Sequence, residues 1–293
     1  MGHGVNDLAY PDFFQPGSLW KLFRGENPYT FVETYELLTR SFGYALHYVN
    51  YGFWTDGLDT DEPGRELTRL LGRKLGLAEG DRVIEAGSGL GQSAVDLCRD
   101  FGASKVFGMN ICEEQVAFAN ALAAHTGLDD RIEHRVADAC TTVQEQEPHS
   151  FDHAVAQECI GHFPDPDAYL SGLSKLLPSG GRMAFTLVTS PKPPPKSVAY
   201  VQDLFFGVVP ESGPAWEERF ARCGFVDVQR EDITDQVFVP LFAYVRRALA
   251  RDSANMSYAG PGGRLALRAL LNRSENAVTN GTMAYEVLVG QVP

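Results

Sequence analysis

Three glycines alternate in the segment Gly87–Gly91, directly after the short apolar run Val83–Ala86, which carries Glu85 near its end. Such a segment lets the backbone turn sharply and approach a ligand closely, because any Cβ there would collide. A dinucleotide fingerprint, G-x-G-x-x-G, would need a glycine in place of Gln92. The E-x-G-x-G-x-G spacing therefore predicts a different ligand, with Glu85 placed to bind an ammonium group directly or through water.

Polar side chains follow the next two apolar runs. Asn110 can hydrogen-bond ribose hydroxyls without a charge, and Gln115, in the first turn of the next predicted helix, can reach the same hydroxyls. Asp138 can accept a hydrogen bond from an adenine amino group. The alternatives are an ordinary surface glutamine and a turn aspartate. The order of these residues along the chain favours a ligand that contains adenosine.

A glutamate and a histidine follow the fourth predicted strand. An unperturbed imidazole titrates near neutrality, so His162 is a candidate general base for a hydroxyl group. Glu158 is a candidate for orienting a cationic group. The alternatives are a packing or turn histidine before Phe163 and a partly exposed charge at Glu158, and His47 is a second candidate base.

Apolar runs and amphipathic segments alternate from position 81 onward. The predicted strands are Arg82–Ala86, Lys105–Asn110, Ile132–Val136, Phe151–Gln157, Gly181–Thr189, Phe225–Ile233 and Thr282–Val292. The predicted helices are 29–47, Thr60–Leu75, Gly91–Phe101, Glu113–Thr126, Asp165–Leu177, Pro214–Cys223, Phe238–Arg251 and Arg264–Asn272. Strands and helices that alternate at this spacing form right-handed βαβ units, which predicts a mostly parallel sheet.

The glycine loop, the segment around Asn110 and the segment around Asp138 follow one another in the chain. In this order they resemble the motifs of class I S-adenosylmethionine (SAM)-dependent methyltransferases. The aromatic segment Tyr48–Trp54 is similar to an N-terminal element of natural-product O-methyltransferases of the erythromycin C and rebeccamycin-sugar type. The segments Gln157–Phe163 and Asp235–Pro240 resemble parts of the same enzymes. The resemblance is best over residues 45–190.

This resemblance implies an α/β, Rossmann-like fold with a seven-stranded, mostly parallel sheet and an antiparallel last strand. It further implies an N-terminal helical segment and an inserted helical lid. Residues 1–78 would form an N-terminal arm and helical cap, and residues 79–293 the SAM-binding domain, with lid insertions at about 191–215 and 237–275. The two parts are expected to form one structural unit.

The resemblance also assigns roles to side chains, with SAM as the cofactor and no metal. The expected cofactor-binding residues are Glu85, Gly87, Ser88, Gly89, Gly91, Asn110, Ile111, Gln115, Asp138, Ala139, Gln157, Tyr48 and Trp54. The expected substrate-binding residues are Tyr51, Phe205, Phe206, Trp216, Phe238, Phe242 and Tyr244. Aromatic faces attract cations, so the segment 48–54 could cover the sulfonium, although such clusters are more often core.

The expected reaction is methyl transfer to a hydroxyl oxygen of a bulky, largely apolar secondary metabolite, with His162 as the general base and Glu158 in the catalytic site. Residues 184–188 lack the aspartate that related sugar O-methyltransferases carry. C- or N-methylation of a terpenoid or polyketide, working by alignment and desolvation, therefore stays open. A non-catalytic SAM-binding protein is a further alternative, and Gln92 and Asn110 disfavour an NAD-dependent oxidoreductase.

The bulk composition limits the partners. The 293 residues carry a formal net charge of -13, which disfavours nucleic acid and anionic membranes because both need a basic face. No apolar stretch approaches the roughly eighteen residues of a membrane span, and no signal peptide is evident. Five dispersed cysteines predict reduced thiols in a cytoplasmic protein. A small-molecule substrate and a possible homo-oligomer are expected.

Overall fold

The computed structural model describes residues 48–56, 62–196, 199, 209–250 and 260–293. The predicted arm and helix before residue 48, the predicted helix start at Thr60, and the predicted pocket residues Phe205 and Phe206 lie outside these ranges. Side chains are described for most but not all positions of the last two helices.

Seven strands form one sheet. They are β1 Arg82–Ala86, β2 Lys105–Asn110, β3 Ile132–Val136, β4 His153–Gln157, β5 Arg182–Thr189, β6 Val226–Asp232 and β7 Ala284–Gln291. Their order is β3-β2-β1-β4-β5-β7-β6, with β1 to β5 parallel and β7 antiparallel to both neighbours. The predicted seven-stranded, mostly parallel sheet with an antiparallel last strand is confirmed.

The helices with defined bounds connect these strands. They are α1 Pro63–Leu75, α2 Gln92–Phe101, α3 Glu113–His125, α4 Ala139–Glu145, α5 Pro166–Leu176, α6 Gly213–Arg222, α7 Thr234–Ala250 and α8 Gly260–Thr279. A short 3₁₀ turn, Ile160–His162, follows β4. None of the helices in the described ranges has the length and apolar character needed to cross a membrane.

Side chains that alternate along the strands feed two separate cores, one on each face of the sheet. Val83, Val155 and Tyr285 belong to the core that α1, α2, α7 and α8 cover. Ile84 and Phe185 belong to the other core, which α4, α5 and α6 cover. Both faces are therefore apolar, and polar chemistry concentrates where the strands end.

Helix α7 begins at Thr234, four residues before the predicted start, and contains Pro240. A proline inside a helix leaves the carbonyl four residues earlier without its N–H donor. The carbonyl of Gln236 is that acceptor, and the N–H of Trp54 donates to it at 3.0 Å. The helix tolerates its proline because a distant segment replaces the missing hydrogen bond.

Two further differences concern helices, one longer than predicted and one that the sequence pattern did not predict. Helix α8 runs from Gly260 to Thr279, well beyond the predicted Arg264–Asn272. Helix α4 was not predicted, although its N-cap is Asp138, whose side chain accepts from the N–H of Cys140. The seven residues of α4 are too few to show a helical period.

The ring of Phe220 anchors α6 to the sheet and gives a test of the packing. It is fully buried, and its centroid lies 5.2 Å from that of Phe185 and 4.3 Å from that of Phe225. We expect Phe220→Ala to lower the free energy of unfolding by about 3–5 kcal/mol, because a core cavity replaces the ring. Urea denaturation measures this change. Val226→Ala, on the exposed edge strand, should stay within about 0.5 kcal/mol of the parent, and equal losses in both variants would contradict this packing.

Candidate active site

The glycine loop after β1 has the backbone that its sequence predicts. Gly87, Gly89 and Gly91 have φ angles of +64°, +51° and +83°, a region that side chains disfavour. A Cβ on Gly87 would lie 2.5 Å from the Cβ of Cys159, and one on Gly91 would lie 2.6 Å from the Cβ of Ala119. Conformation and close approach therefore both require glycine at Gly87 and Gly91.

A histidine that the sequence analysis did not single out supports this loop. His134 on β3 is buried, and its Nδ1 lies 3.1 Å from the Oγ of Ser88. It packs against the backbone of Gly108, where a Cβ would come within 2.2 Å of Nδ1. Burial lowers the pKa of His134 to about 4, so the ring is neutral at pH 7. The signal was its place two residues after the buried Ile132 on the same strand face.

Glu85 lies at the end of β1 with only 1% of its surface exposed. Its Oε1 accepts from the hydroxyl of Ser93, and its Oε2 is buried without a hydrogen-bond partner among the described residues. Burial raises the pKa of Glu85 to about 7. A buried oxygen without a donor fits a site for a cationic group such as an ammonium.

The predicted ribose residues come together. The side-chain amide of Asn110 donates to the Oε1 of Gln115 at 2.7 Å, while its own oxygen accepts from the N–H of Cys112 at 3.2 Å. Ile111, between them in sequence, is 70% exposed beside this pair. The end of β3 is close, because the N–H of Ala137 donates to the carbonyl of Asn110.

Asp138 and Ala139 lie at the start of α4. The Asp138 side chain is exposed, and its Oδ1 accepts from the N–H of Cys140 at 2.8 Å. Ala139 is buried against the sheet. Asp138 therefore caps a helix, and its role toward an adenine amino group stays a prediction.

Residues 48–56, here called the strap, cross the carboxyl ends of the strands. Tyr48 is buried, and its hydroxyl donates to Asp96 of α2. Asn50 donates to the Oε1 of Gln157 at 3.0 Å, and the Nε2 of Gln157 donates to Thr68 of α1. The side chains of Tyr48 and Gln157 are thus engaged within the protein, which does not support direct cofactor contact for either.

The strap ends against α7. The indole N–H of Trp54 donates to the carbonyl of Tyr51 at 3.1 Å, and its ring lies 5.4 Å from that of the half-buried Tyr244. Trp54 is almost fully buried in the core beneath α1 and α7. Its observed role is packing, and a covering role over the cofactor stays a prediction.

Glu158 comes directly after β4 in a strained backbone, with φ +59°. Its Oε1 accepts two hydrogen bonds of 2.7 Å, from the N–H of Tyr51 and from the hydroxyl of Tyr285 on β7. The side chain is 8% exposed, and burial raises its pKa to about 7. His162, half-buried in the 3₁₀ turn, follows four residues later.

The two tyrosines that donate to the Glu158 carboxyl, Tyr51 and Tyr285, belong to a cluster of aromatic rings. The ring of Tyr51 meets those of Phe238 and Tyr285 edge to face, with centroids 5.4 and 6.1 Å away. Phe238 and Tyr285 also meet edge to face, at 5.6 Å. Phe242 stacks on Phe238 at 5.5 Å. Three of the predicted substrate residues, Tyr51, Phe238 and Phe242, therefore lie in one cluster.

Trp216 lies elsewhere. It is 3% exposed, and its ring lies 5.8 Å from Phe185 in the core on the opposite face of the sheet. Arg219 of the same helix covers its ring at 4.5 Å. This position does not support Trp216 as a wall of a pocket shared with α7. In the sequence a core tryptophan of an amphipathic helix and a pocket tryptophan look alike.

Comparison with known proteins agrees with the fold and the loop. Residues 77–211 match a family model described as a methyltransferase domain. Methyltransferase GfsG from Streptomyces halstedii is 32% identical over 171 residues, which are 57% of this chain and 59% of that protein. Erythromycin 3''-O-methyltransferase from Saccharopolyspora erythraea is 25% identical over 222 residues, 72% of each chain. The chain thus aligns with less than two thirds of the first relative's length.

A solved structure shares the architecture. Phosphoethanolamine N-methyltransferase 2 from Haemonchus contortus, in complex with phosphomonomethylethanolamine and S-adenosylhomocysteine, superposes with a TM-score of 0.75 at 19% identity. The match covers 90% of this chain and 58% of that chain.

The sheet order, the glycine loop and the family match define a Rossmann-like methyltransferase domain of the SAM-dependent class. Residues 77–211 of this chain are such a domain, and SAM is the cofactor of the class. The residues present fit it, since Glu85 offers a buried oxygen without a donor and the loop offers backbone that a Cβ would block. Among the described residues, no group of His, Cys, Asp or Glu side chains could hold a metal ion.

A variant of Gly87 tests whether the close approach of the loop to Cys159 matters for cofactor binding. We expect Gly87→Ala to weaken SAM affinity by about tenfold or more, because the new methyl group meets Cys159 and displaces the loop. Isothermal titration calorimetry measures the affinity. The control is Gly127→Ala, which has a similar φ of +68° but no atom within 4 Å of the new Cβ. It should lose about 1 kcal/mol of stability and keep SAM affinity, and a similar affinity loss in both variants would refute the argument.

A variant of Glu85 tests how much its buried carboxyl group lowers the stability of the fold. Because its pKa is raised to about 7, the neutral form favours folding, and stability is lost as the pH rises through that value. Glu85→Gln cannot ionise, so we expect a higher melting temperature than the parent at about pH 8, a difference that shrinks toward about pH 5. The thermal shift on adding SAM should be smaller in the variant.

Thermal denaturation across pH, with and without SAM, measures both effects. Glu133→Gln on the exposed face of β3 is the matched control and should change neither. Equal melting temperatures of Glu85→Gln and the parent at about pH 8 would contradict the burial argument. An unchanged SAM shift would remove Glu85 from the cofactor site.

Proposed function

We propose that the protein methylates a hydroxyl oxygen of a bulky, largely apolar natural product, with His162 as the general base. One observation carries the proposal: Glu158, which follows β4 four residues before His162, is bonded to Tyr51 of the ring cluster that Tyr51, Phe238 and Phe242 form. The name of the Saccharopolyspora relative, an O-methyltransferase of erythromycin, supports the acceptor atom and the substrate class.

Each part of the site has a task in this reaction. SAM, when bound, supplies an electrophilic methyl group on a sulfonium. The glycine loop, Glu85 and the Asn110–Gln115 pair would hold the cofactor, and the rings would exclude water from the acceptor. A nitrogen of His162 would take the hydroxyl proton, which a neutral imidazole can do near pH 7. This base typically contributes about 10²–10⁴ in rate.

Methylation of nitrogen or carbon is the second candidate, and the Glu158 cluster favours it specifically. A buried carboxyl among aromatic rings stabilises an acceptor that carries or develops positive charge. Residues 184–188 in the second half of β5 contain no aspartate. A homo-oligomer stays a prediction, as does a cytoplasmic location, with which the five free cysteines are consistent.

The decisive experiment uses SAM with a ¹³C-labelled methyl group against a panel of polyketides, glycosides and terpenoids. The carbon chemical shift of the product distinguishes a methyl group on oxygen from one on nitrogen or carbon. A hydroxyl product supports the proposal, and a product methylated only on nitrogen or carbon replaces it with the second candidate. Absence of transfer together with tight SAM binding would favour a non-catalytic SAM-binding role.

The base assignment has its own test. We expect His162→Gln to lower kcat on a hydroxyl acceptor by about 10²–10⁴ and leave SAM affinity unchanged, because the residue acts on the acceptor proton. His125→Gln at the exposed end of α3 is the control and should keep full activity. Steady-state kinetics with the identified acceptor measures the effect. If His162→Gln turns over normally, another group removes the proton.

A further inference from the structure

A tyrosine from the far end of the chain reaches the group after β4. Because β7 runs antiparallel to β5, its first residues lie at the edge of the sheet where β5 ends, with Tyr285 opposite Val188. The Tyr285 side chain is fully buried, and its hydroxyl donates to the Oε1 of Glu158 at 2.7 Å. Sequence reasoning had assigned this residue only to a strand.

Glu158 is fixed at several points at once. Its N–H donates to the carbonyl of Thr186 at 2.9 Å, and its backbone is held in the left-handed region at φ +59°. The N–H of Tyr51 and the hydroxyl of Tyr285 both donate to one oxygen, Oε1. A strained backbone of this kind persists only where its surroundings hold it, and such sites are frequently functional.

We propose that Tyr285 is a positioning residue for the methyl-transfer site: with the strap N–H of Tyr51, it holds the Glu158 carboxylate in one orientation on the acceptor side. The inference rests on the proposed function for what Glu158 faces. Tyr285 itself contacts Glu158 and not the reacting atoms.

The charge state of Glu158 follows from the same contacts. Hydrogen bonds to a carboxylate favour its ionised form, whereas burial opposes it. Three titratable groups of the described residues interact with the charge of Glu158: Tyr51 of the strap, Tyr285 of β7 and Cys159, which follows Glu158 in the chain. Burial raises the pKa of each. These three stay neutral near pH 7, so Glu158 is the member of the cluster that titrates there, with a pKa of about 7.

The test is Tyr285→Phe, which keeps the ring contacts with Tyr51 and Phe238 and removes one donor. We expect the pKa of Glu158 to rise by about one unit, because the ionised form loses a hydrogen bond. Carbon NMR of protein labelled with ¹³C at the glutamate carboxyl measures it without any acceptor, and Glu158→Gln assigns the signal.

Tyr169→Phe is the matched control. Tyr169 is as completely buried as Tyr285, but its hydroxyl has no hydrogen-bond partner among the described residues. The pKa of Glu158 should be the same in Tyr169→Phe and in the parent. A rise in Tyr285→Phe alone supports the inference, and an unchanged or lowered value in Tyr285→Phe, or an equal rise in both variants, overturns it.

If Tyr285→Phe does not fold, 3,5-difluorotyrosine at position 285 supplies the opposite perturbation. Its hydroxyl is a stronger donor, so the pKa of Glu158 should fall, and no fall would overturn the inference. With an identified acceptor, Tyr285→Phe should shift the acid limb of the kcat–pH profile upward and leave the KM for SAM unchanged. The carboxyl titration is independent of the acceptor, so a wrong proposed function and a wrong role for Tyr285 give different results.

Discussion

Two buried carboxyl groups, Glu85 and Glu158, define the chemistry at the carboxyl edge of the sheet. Glu85 lies near the end of β1 and Glu158 directly after the neighbouring strand β4, and burial raises the pKa of each to about 7. Burying a carboxyl group is unfavourable for folding unless donors or a cation compensate it. Ser93 compensates Glu85 only in part, whereas Glu158 has two donors on one oxygen. The less compensated carboxyl lies beside the glycine loop, where a cationic cofactor would complete it.

The strap connects the region of the glycine loop, which contains Glu85, with the end of β4, which Glu158 follows. Within nine residues it contacts α2 through Tyr48, the end of β4 through Asn50 and Tyr51, and α7 through Trp54. Tyr48 contacts Asp96 on the helix that follows the glycine loop, and Tyr51 contacts Glu158 on the proposed acceptor side. The same few residues therefore connect the glycine-loop region, the end of β4 and the proline-containing helix α7.

The sequence predicted the sheet well because its signals are local. The first three strands have the predicted bounds, and the glycine loop, Asn110 and Gln115 lie where strand alternation puts them. The features that the sequence did not predict depend on residues far away in the chain. The start of α7 was missed because Trp54 compensates Pro240. His134 and Tyr285 were missed because their roles arise from residues 46 and 127 positions away.

Under the proposed function, Glu158 and His162 have different roles. An ionised Glu158 would be compatible with an imidazole that gains a proton in the same site, since opposite charges stabilise each other where water is excluded. A neutral Glu158 would not hinder the binding of an alcohol or an amine, but it would not stabilise a developing positive charge. Under the proposed function, oxygen methylation needs the base to accept the hydroxyl proton. Amine methylation needs the carboxylate and the rings, whereas a methylated carbon must also lose a proton to a base. The same group of residues would therefore fit either chemistry, and the acceptor's own proton would decide whether the histidine is used.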